Sequence, residues 1–156
     1  GNSPGRMGNF HPNLSPYQVF ECSDGHIIIA TGNDQQYQRF CDILQCPELG
    51  KNPKFVSNAK RVENRHELDE LLSRKTRNWK KAKLLKRCEV TSIPAGPINS
   101  LDEVFSDKQI IHRGMKLSLD GIPSIRSPIR FSESELNLDK PSPKLGEHNS
   151  VIFPDN

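Results

Sequence analysis

His11 is the side chain whose type and position first suggest chemistry. It sits in a loop beside Pro12 and Asn13, directly before a strand–turn–strand–helix stretch running from residue 11 to residue 44. Loops seated on rigid elements are where binding residues collect, so His11 is a candidate binding residue, with a structural histidine as the alternative. The other histidines, His26, His66, His112 and His148, are scattered. No pair has the HxxxH or HExxH spacing that brings two imidazoles to one metal. Asp34 is a possible catalytic carboxylate, but a place in the first turn of a helix explains it without chemistry. The chain has no GxSxG, no GxxxxGKS/T and no dinucleotide fingerprint, since Gly5-Arg6-Met7-Gly8 follows no strand.

Cys22, Cys41, Cys46 and Cys88 show no paired metal spacing, because the Cys41–Cys46 pair lacks a second pair. They read as four reduced thiols of a cytosolic protein. No signal peptide opens the chain, and no apolar run approaches the roughly 20 residues needed to span a membrane. The opening GNSPGRMGN lacks an initiator methionine and reads as a cut from a longer chain. The net charge of +3 hides an asymmetry: Arg74 to Arg87 holds eight basic residues and no acidic one, while the remainder has 14 basic against 19 acidic side chains. That run could form a nucleic-acid or phosphate patch with Trp79 as a stacking platform. The plainer reading is a solvated helix face with Trp79 in the core, and no nucleic-acid motif surrounds it.

The elements that must position these residues follow from pattern. Tyr17–Cys22 is β-favouring with partial alternation, and Ser23-Asp24-Gly25 is a hairpin turn. His26–Ala30 reads as a more buried strand, covered on both faces, because its β-branched run is continuous. Asn33 caps the next helix, Gln36 completes a box-like pattern, and Tyr37, Phe40, Cys41 and Leu44 share its apolar face. The stretch from Gln45 to Leu49 ends that helix. Ser57 or Asn58 opens a second helical region with Leu68, Leu71 and Leu72 at helical spacing. A third helix is expected over Asn78 to Cys88, with Trp79, Ala82, Leu84 and Leu85 inward. VTSIPAGPIN at 90–99 cannot be helical. Ser100 with Glu103 caps a short helix, Gln109 to His112 ends at Gly114, Met115–Leu119 alternates as a strand, and Pro128–Ser132 reads as a short edge strand. From Glu133 the chain is polar, with little to bury.

The apolar fraction is 33%, below the roughly 45–50% of a typical globular chain, a figure that also counts glycine. With 12 prolines and 10 glycines, part of the chain is loop or needs a partner to cover it. These features alone establish an α+β segment.

Longer phrases carry a resemblance. RMGNFHPNLSPYQVF at 6–20, DGHIIIATGNDQQYQRFC at 24–41, PEL at 47–49, NPKFVSNAKRVENRHEL at 52–68, IPAGPINSLDEVFSDKQIIHRGM at 93–115, SPIRFSES at 127–134 and KLGEHN at 144–149 are similar, in order and nearly in spacing, to the family III CoA-transferases of CaiB/BaiF type. That group includes formyl-CoA transferase, carnitine CoA-transferase and the succinyl-CoA-dependent dicarboxylate CoA-transferases, and HPNLSPY looks most like the dicarboxylate branch. The resemblance implies an α+β fold: a linker at 1–9, a small domain at 10–112 with a short antiparallel sheet and packed helices, and a C-terminal segment at 113–156. That segment would rejoin a large Rossmann-like domain absent from this chain. It further implies an interlocked homodimer when full length, acyl-CoA and a carboxylic acid as substrates and no covalently bound cofactor. The cytoplasmic setting and the expectation of no metal, no membrane and no nucleic acid rest on the cysteines, spacings, hydropathy and motifs above.

The family's chemistry is covalent. An aspartate attacks the acyl-CoA thioester to give a mixed anhydride, and the CoA thiolate returns to form an aspartyl-CoA thioester. The acceptor carboxylate takes over the acyl enzyme, and CoA is passed on. That aspartate belongs to the large domain, so no catalytic residue is carried over to this chain, and this chain by itself should lack turnover. What corresponds here is the loop covering the reacting acyl group, with His11, Asn13 and Tyr17 as substrate-binding residues. Its backbone N–H groups are the expected oxyanion donors, Pro12 and Pro16 supplying none. GPIN at 96–99 is a second shared phrase, or else a rigid structural turn. Three departures stand out. The stretch from Lys86 to Ser92 is longer than the family's and lacks its closing glycine, the stretch before Trp79 looks shortened, and the hairpin after Leu119 is clipped to Asp120-Gly121-Ile122. The rival readings are a segment of an α-methylacyl-CoA racemase, which shares the fold but transfers a proton, and a non-catalytic binding domain using the basic face 74–87.

Overall fold

The structure, a computed structural model, describes residue 3 and residues 5–154. The linker expected over 1–9 lies partly outside the described residues. The chain divides into two units, residues up to Ile98 and residues from Asn99 onward, and each is described by itself.

The first unit begins with the hairpin β1 (Tyr17–Cys22) and β2 (Gly25–Ala30). Gln18, Phe20 and Cys22 alternate inward on β1 and meet Ile27 and Ile29 of β2. After Gly32, Asn33 caps α1 (Asp34–Ile43): its Oδ1 accepts the Gln36 N–H at 2.9 Å, and Gln36 Oε1 accepts that of Gly32 at 2.7 Å. Tyr37, Phe40, Cys41 and Leu44 are buried as the spacing requires. Gln45 then takes a positive φ of 56°, and Pro47 starts a separate short helix, α2 (Pro47–Lys51), where the sequence suggested only the end of α1. Proline suits that first turn because its missing N–H has no intrahelical partner there.

The second helical region is two helices, α3 (Asn58–Glu63), capped by Ser57, and α4 (Arg65–Thr76). The third helix, α5 (Lys81–Val90), starts three residues later than expected. Lys80 is extended, and the hairpin tip supplies the cap, Asp24 Oδ1 accepting the Lys81 N–H at 2.6 Å. Leu84 and Cys88 face inward, and Ala82 is exposed. The missing glycine after α5 has a visible consequence. Ile93 N–H reaches Cys88 C=O at 2.9 Å and Ser92 N–H reaches Glu89 C=O at 3.1 Å, a Schellman closure. Ser92 therefore occupies the left-handed position, φ 55°, that glycine usually takes.

The non-helical GPIN phrase is not a turn. Ala95–Ile98 forms β3, antiparallel to β2, giving the sheet order β1-β2-β3. Pro97 is tolerated because β3 is an edge strand. One face of the sheet is covered, and Phe20, Ile27 and Ile29 join Phe40, Phe55, Leu68, Leu72 and Leu84 in the core. The other face, with Tyr17, Val19, Ile28 and Ala30, is half-buried, and Ile98 is exposed. The expectation that β2 is covered on both faces is therefore corrected: within the first unit its outward side chains have no second layer and Ile28 and Ala30 are half-buried.

The second unit starts with α6 (Leu101–Ser106), closed by the Ser100–Glu103 capping box, followed by α7 (Lys108–His112). A hairpin follows, β4 (Lys116–Leu119) and β5 (Ile122–Ile125), and near the end α8 (Asn149–Ile152). The clipped hairpin closes because Asp120 and Gly121 both adopt positive φ, 50° and 79°, the conformation a two-residue turn needs. The return strand is Ile122–Ile125, and the edge strand expected over Pro128–Ser132 is absent. None of the described residues from Asn99 on is fully buried, in line with the polar composition there. No helix of the described residues is long and apolar enough to cross a membrane.

Candidate functional site: the clamped loop before the sheet

The loop from His11 to Pro16 folds against α3 and α4. Sequence alone does not reveal why a stretch with two prolines holds one shape here. Its carbonyls are gripped from below. Arg65 Nη1 donates to His11 C=O at 3.0 Å and Nη2 to Pro12 C=O at 2.7 Å. Asn58 Nδ2 donates to Asn13 C=O at 2.8 Å, and Asn58 Oδ1 accepts the Ser15 N–H at 3.2 Å. Arg61 Nε donates to Ser15 C=O at 2.6 Å. Thr31 takes Pro16 C=O with both its N–H, at 3.0 Å, and its hydroxyl, at 2.8 Å.

Arg61 is the centre of this clamp and is 0% exposed. A guanidinium this deep must satisfy its donors, since an unpaired buried charge is costly. It bonds Ser15 C=O, Phe55 C=O at 3.0 Å and Asp34 Oδ1 at 2.7 Å, and its Cζ lies 4.5 Å from the centroid of the Tyr37 ring. The Tyr37 phenol donates to Leu49 C=O at 3.0 Å. Burial first, then the nearby Cys41 thiol, pushes its pKa far above the ordinary phenol range, so it remains a donor. Asp34, considered above as a possible catalytic carboxylate, is the partner of Arg61 in the first turn of α1.

The three residues expected to bind substrate lie together on this loop. The His11 and Tyr17 rings stack, centroids 4.9 Å apart and planes within 10°. His11 N–H donates to Tyr17 C=O at 3.0 Å. The Asn13 and Leu14 N–H groups both donate to His11 Nδ1, each at 3.1 Å. Asn13 is exposed, while His11 and Tyr17 are half-buried. Of the loop N–H groups expected as oxyanion donors, those of His11, Asn13, Leu14 and Ser15 are bonded within the protein.

Trp79 packs against the core. Three side chains of the basic run pair with acids outside it, Arg74 with Glu70 at 3.8 Å, Arg77 with Glu21 at 2.8 Å and Lys86 with Glu89 at 2.9 Å. His66 meets Phe10 edge-on at 5.7 Å. Arg61, Arg65 and Asn58 were missed from sequence, although a signal existed. Arg61 and Arg65 extend the Leu68–Leu72 stripe by steps of four and three residues, placing charged side chains on an apolar face.

An α+β unit that carries a rigid, arginine-clamped loop at the start of an open sheet is thus the structural class. Comparison with known proteins gives the family: a model of CoA-transferase family III matches residues 1–149, and the chain belongs to that family. It is 41% identical, over 98% of its length, to a succinate–glutarate CoA-transferase of Agrobacterium fabrum. It is 36% identical, over 95%, to a human succinyl-CoA:glutarate CoA-transferase. It spans 40% and 35% of those relatives' lengths. A crystal structure of a CaiB/BaiF family protein from Brucella suis matches 99% of this chain and 41% of its own, at 47% identity and a TM-score of 0.88.

Proposed function

We propose that this chain is the loop-bearing portion of an enzyme that moves CoA between an acyl-CoA thioester and a carboxylic acid, with a dicarboxylate such as glutarate or succinate on the acid side. The observation that carries this reading is its identity with dicarboxylate CoA-transferases across nearly the whole chain. The nucleophilic aspartate lies upstream, on a Rossmann-like large domain. Its carboxylate oxygen attacks the thioester carbonyl, the C–S bond breaks, and the thiolate returns to the aspartyl carbonyl, releasing the donor acid. The acceptor carboxylate then attacks the aspartyl thioester and forms a new anhydride with release of the thiolate, which finally takes the acceptor's acyl group and restores the aspartate.

In this reading residues 10–112 form the small domain and residues 113–156 return to the large one, which accounts for the exposed apolar side chains Ile122, Ile129 and Phe131. Two whole chains interlock as a cytoplasmic homodimer. His11, Asn13 and Tyr17 cover the acyl group, and the clamp from Arg61, Arg65 and Asn58 holds them in place. The test is to incubate the whole protein from its source cells with succinyl-CoA and glutarate and follow glutaryl-CoA by mass spectrometry. Glutaryl-CoA formation with equal release of succinate is expected. Absence of exchange with any dicarboxylate overturns the reading.

A further inference from the structure

The His11 ring is held in a way that fixes which of its nitrogens carries the proton. Two backbone N–H groups, those of Asn13 and Leu14, converge on Nδ1 at 3.1 Å each. A nitrogen facing two donors must offer a lone pair, because a proton there would oppose both. The neutral ring then carries its proton on Nε2. The ring's direction is fixed as well. It lies flat on Tyr17, its backbone N–H is bonded to Tyr17 C=O, and its C=O is held by Arg65. No described residue accepts from Nε2, and His11 is half-buried rather than buried. Nε2 is also absent from the buried polar atoms left without a partner, so it reaches solvent.

We infer that His11 is a fixed donor whose Nε2–H, standing beside Tyr17 at the edge of the sheet face, binds a carboxylate oxygen of the ligand. This rests on the reading that the loop faces the acid substrate, and deepens it by assigning the polarity of the contact. A metal ion would need the Nε2 lone pair, which this tautomer does not offer. A general base would need the same lone pair, so His11 binds and orients without abstracting a proton. Among acceptors a carboxylate is favoured, because a hydrogen bond to a charged oxygen is shorter and stronger than one to a neutral carbonyl. Val19, Ile28 and Ala30 continue the surface as an apolar floor, suited to the methylene groups between two carboxylates.

The test uses the whole protein, labelled with nitrogen-15 at its histidines. Long-range proton–nitrogen correlation reads the His11 tautomer, assigned by its loss in His11→Asn. Glutarate and its uncharged dimethyl ester are then titrated separately. The Nε2–H tautomer is expected, with a His11 response to glutarate and little to the ester. His11→Asn should keep the turn, since Asn Oδ1 sits where Nδ1 does and accepts the same two N–H groups. It should nevertheless weaken glutarate binding at least about tenfold, the loss of one charge-assisted hydrogen bond. His11→Gln keeps a distal amide N–H but gives up the Nδ1 acceptor, so it should melt lower yet retain part of the response. An Nδ1–H tautomer, or equal response to acid and ester, overturns the inference. The Nε2–H tautomer without any response to glutarate overturns the ligand assignment. Failure of the exchange assay with the whole protein, alongside a positive titration here, removes the transferase reading and leaves this site standing.

Discussion

Replacing Arg61 with methionine tests the clamp at its centre. The side chain is 0% exposed, so water cannot take over its contacts. Methionine keeps most of the stem volume and removes every donor. Ser15 C=O and Phe55 C=O are then left in a buried site without a partner, and each such acceptor costs about 1–3 kcal/mol. Loss of the guanidinium over the Tyr37 ring adds about 0.5–2 kcal/mol. Asp34 adds little, since its side chain is 50% exposed and returns to water. The expected loss is roughly 3–8 kcal/mol, a large part of the roughly 5–15 kcal/mol that holds a domain folded. Urea unfolding followed by the fluorescence of the single tryptophan, Trp79, reads it directly. Arg61→Lys should also fall well short of wild type, because one ammonium cannot reach three acceptors in the guanidinium's plane. A loss below about 1 kcal/mol for Arg61→Met, at unchanged denaturant slope, would refute the view that these hydrogen bonds hold the loop.

Asp34→Asn keeps an acceptor for Arg61 in a half-exposed place, so urea unfolding should show a loss under about 1 kcal/mol. Ser92→Gly relieves a left-handed residue on an exposed helix end and should raise stability by about 0.5–1 kcal/mol, seen as a higher melting temperature. Burial, with a smaller contribution from Cys22, raises the Cys88 thiol from the usual 9.0 to about 11. The folded state therefore holds this proton longer than the unfolded state does. The stabilisation is complete below pH 9 and is lost as pH rises through about 11, on the order of 2 kcal/mol in all. Unfolding across that window should show the gap between wild type and Cys88→Ala shrinking as pH rises, and a constant gap would remove Cys88 from the account.

Much of the first unit is legible in local pattern. Asn33, Ser57 and Ser100 each cap the helix their spacing announces, and the alternation of Gln18, Phe20 and Cys22 sets the buried face of β1. The failures share one cause, tertiary partners that periodicity does not show. α5 starts late because Asp24, 57 residues away, caps it. β3 was hidden by Pro97, which argues against a strand until its edge position is known. The continuous Ile27-Ile28-Ile29 run suggests cover on both faces, whereas the first unit covers only one. In the candidate site, His11, Asn13 and Tyr17 were visible as loop residues and as part of a family phrase. The device that fixes them was not, because the arginines of the clamp lie some 45 to 55 residues downstream of the carbonyls they hold and look like ordinary helix-surface charges.

The division of labour between this chain and the rest of the enzyme is the central claim, and locating the acyl adduct tests it most directly. The whole protein from its source cells is incubated with succinyl-CoA, quenched, digested and mapped by mass spectrometry. The account predicts a succinyl or CoA adduct on an aspartate outside residues 1–156, with every peptide of this chain unmodified. An adduct on a residue within this chain, or turnover without any adduct, would contradict it.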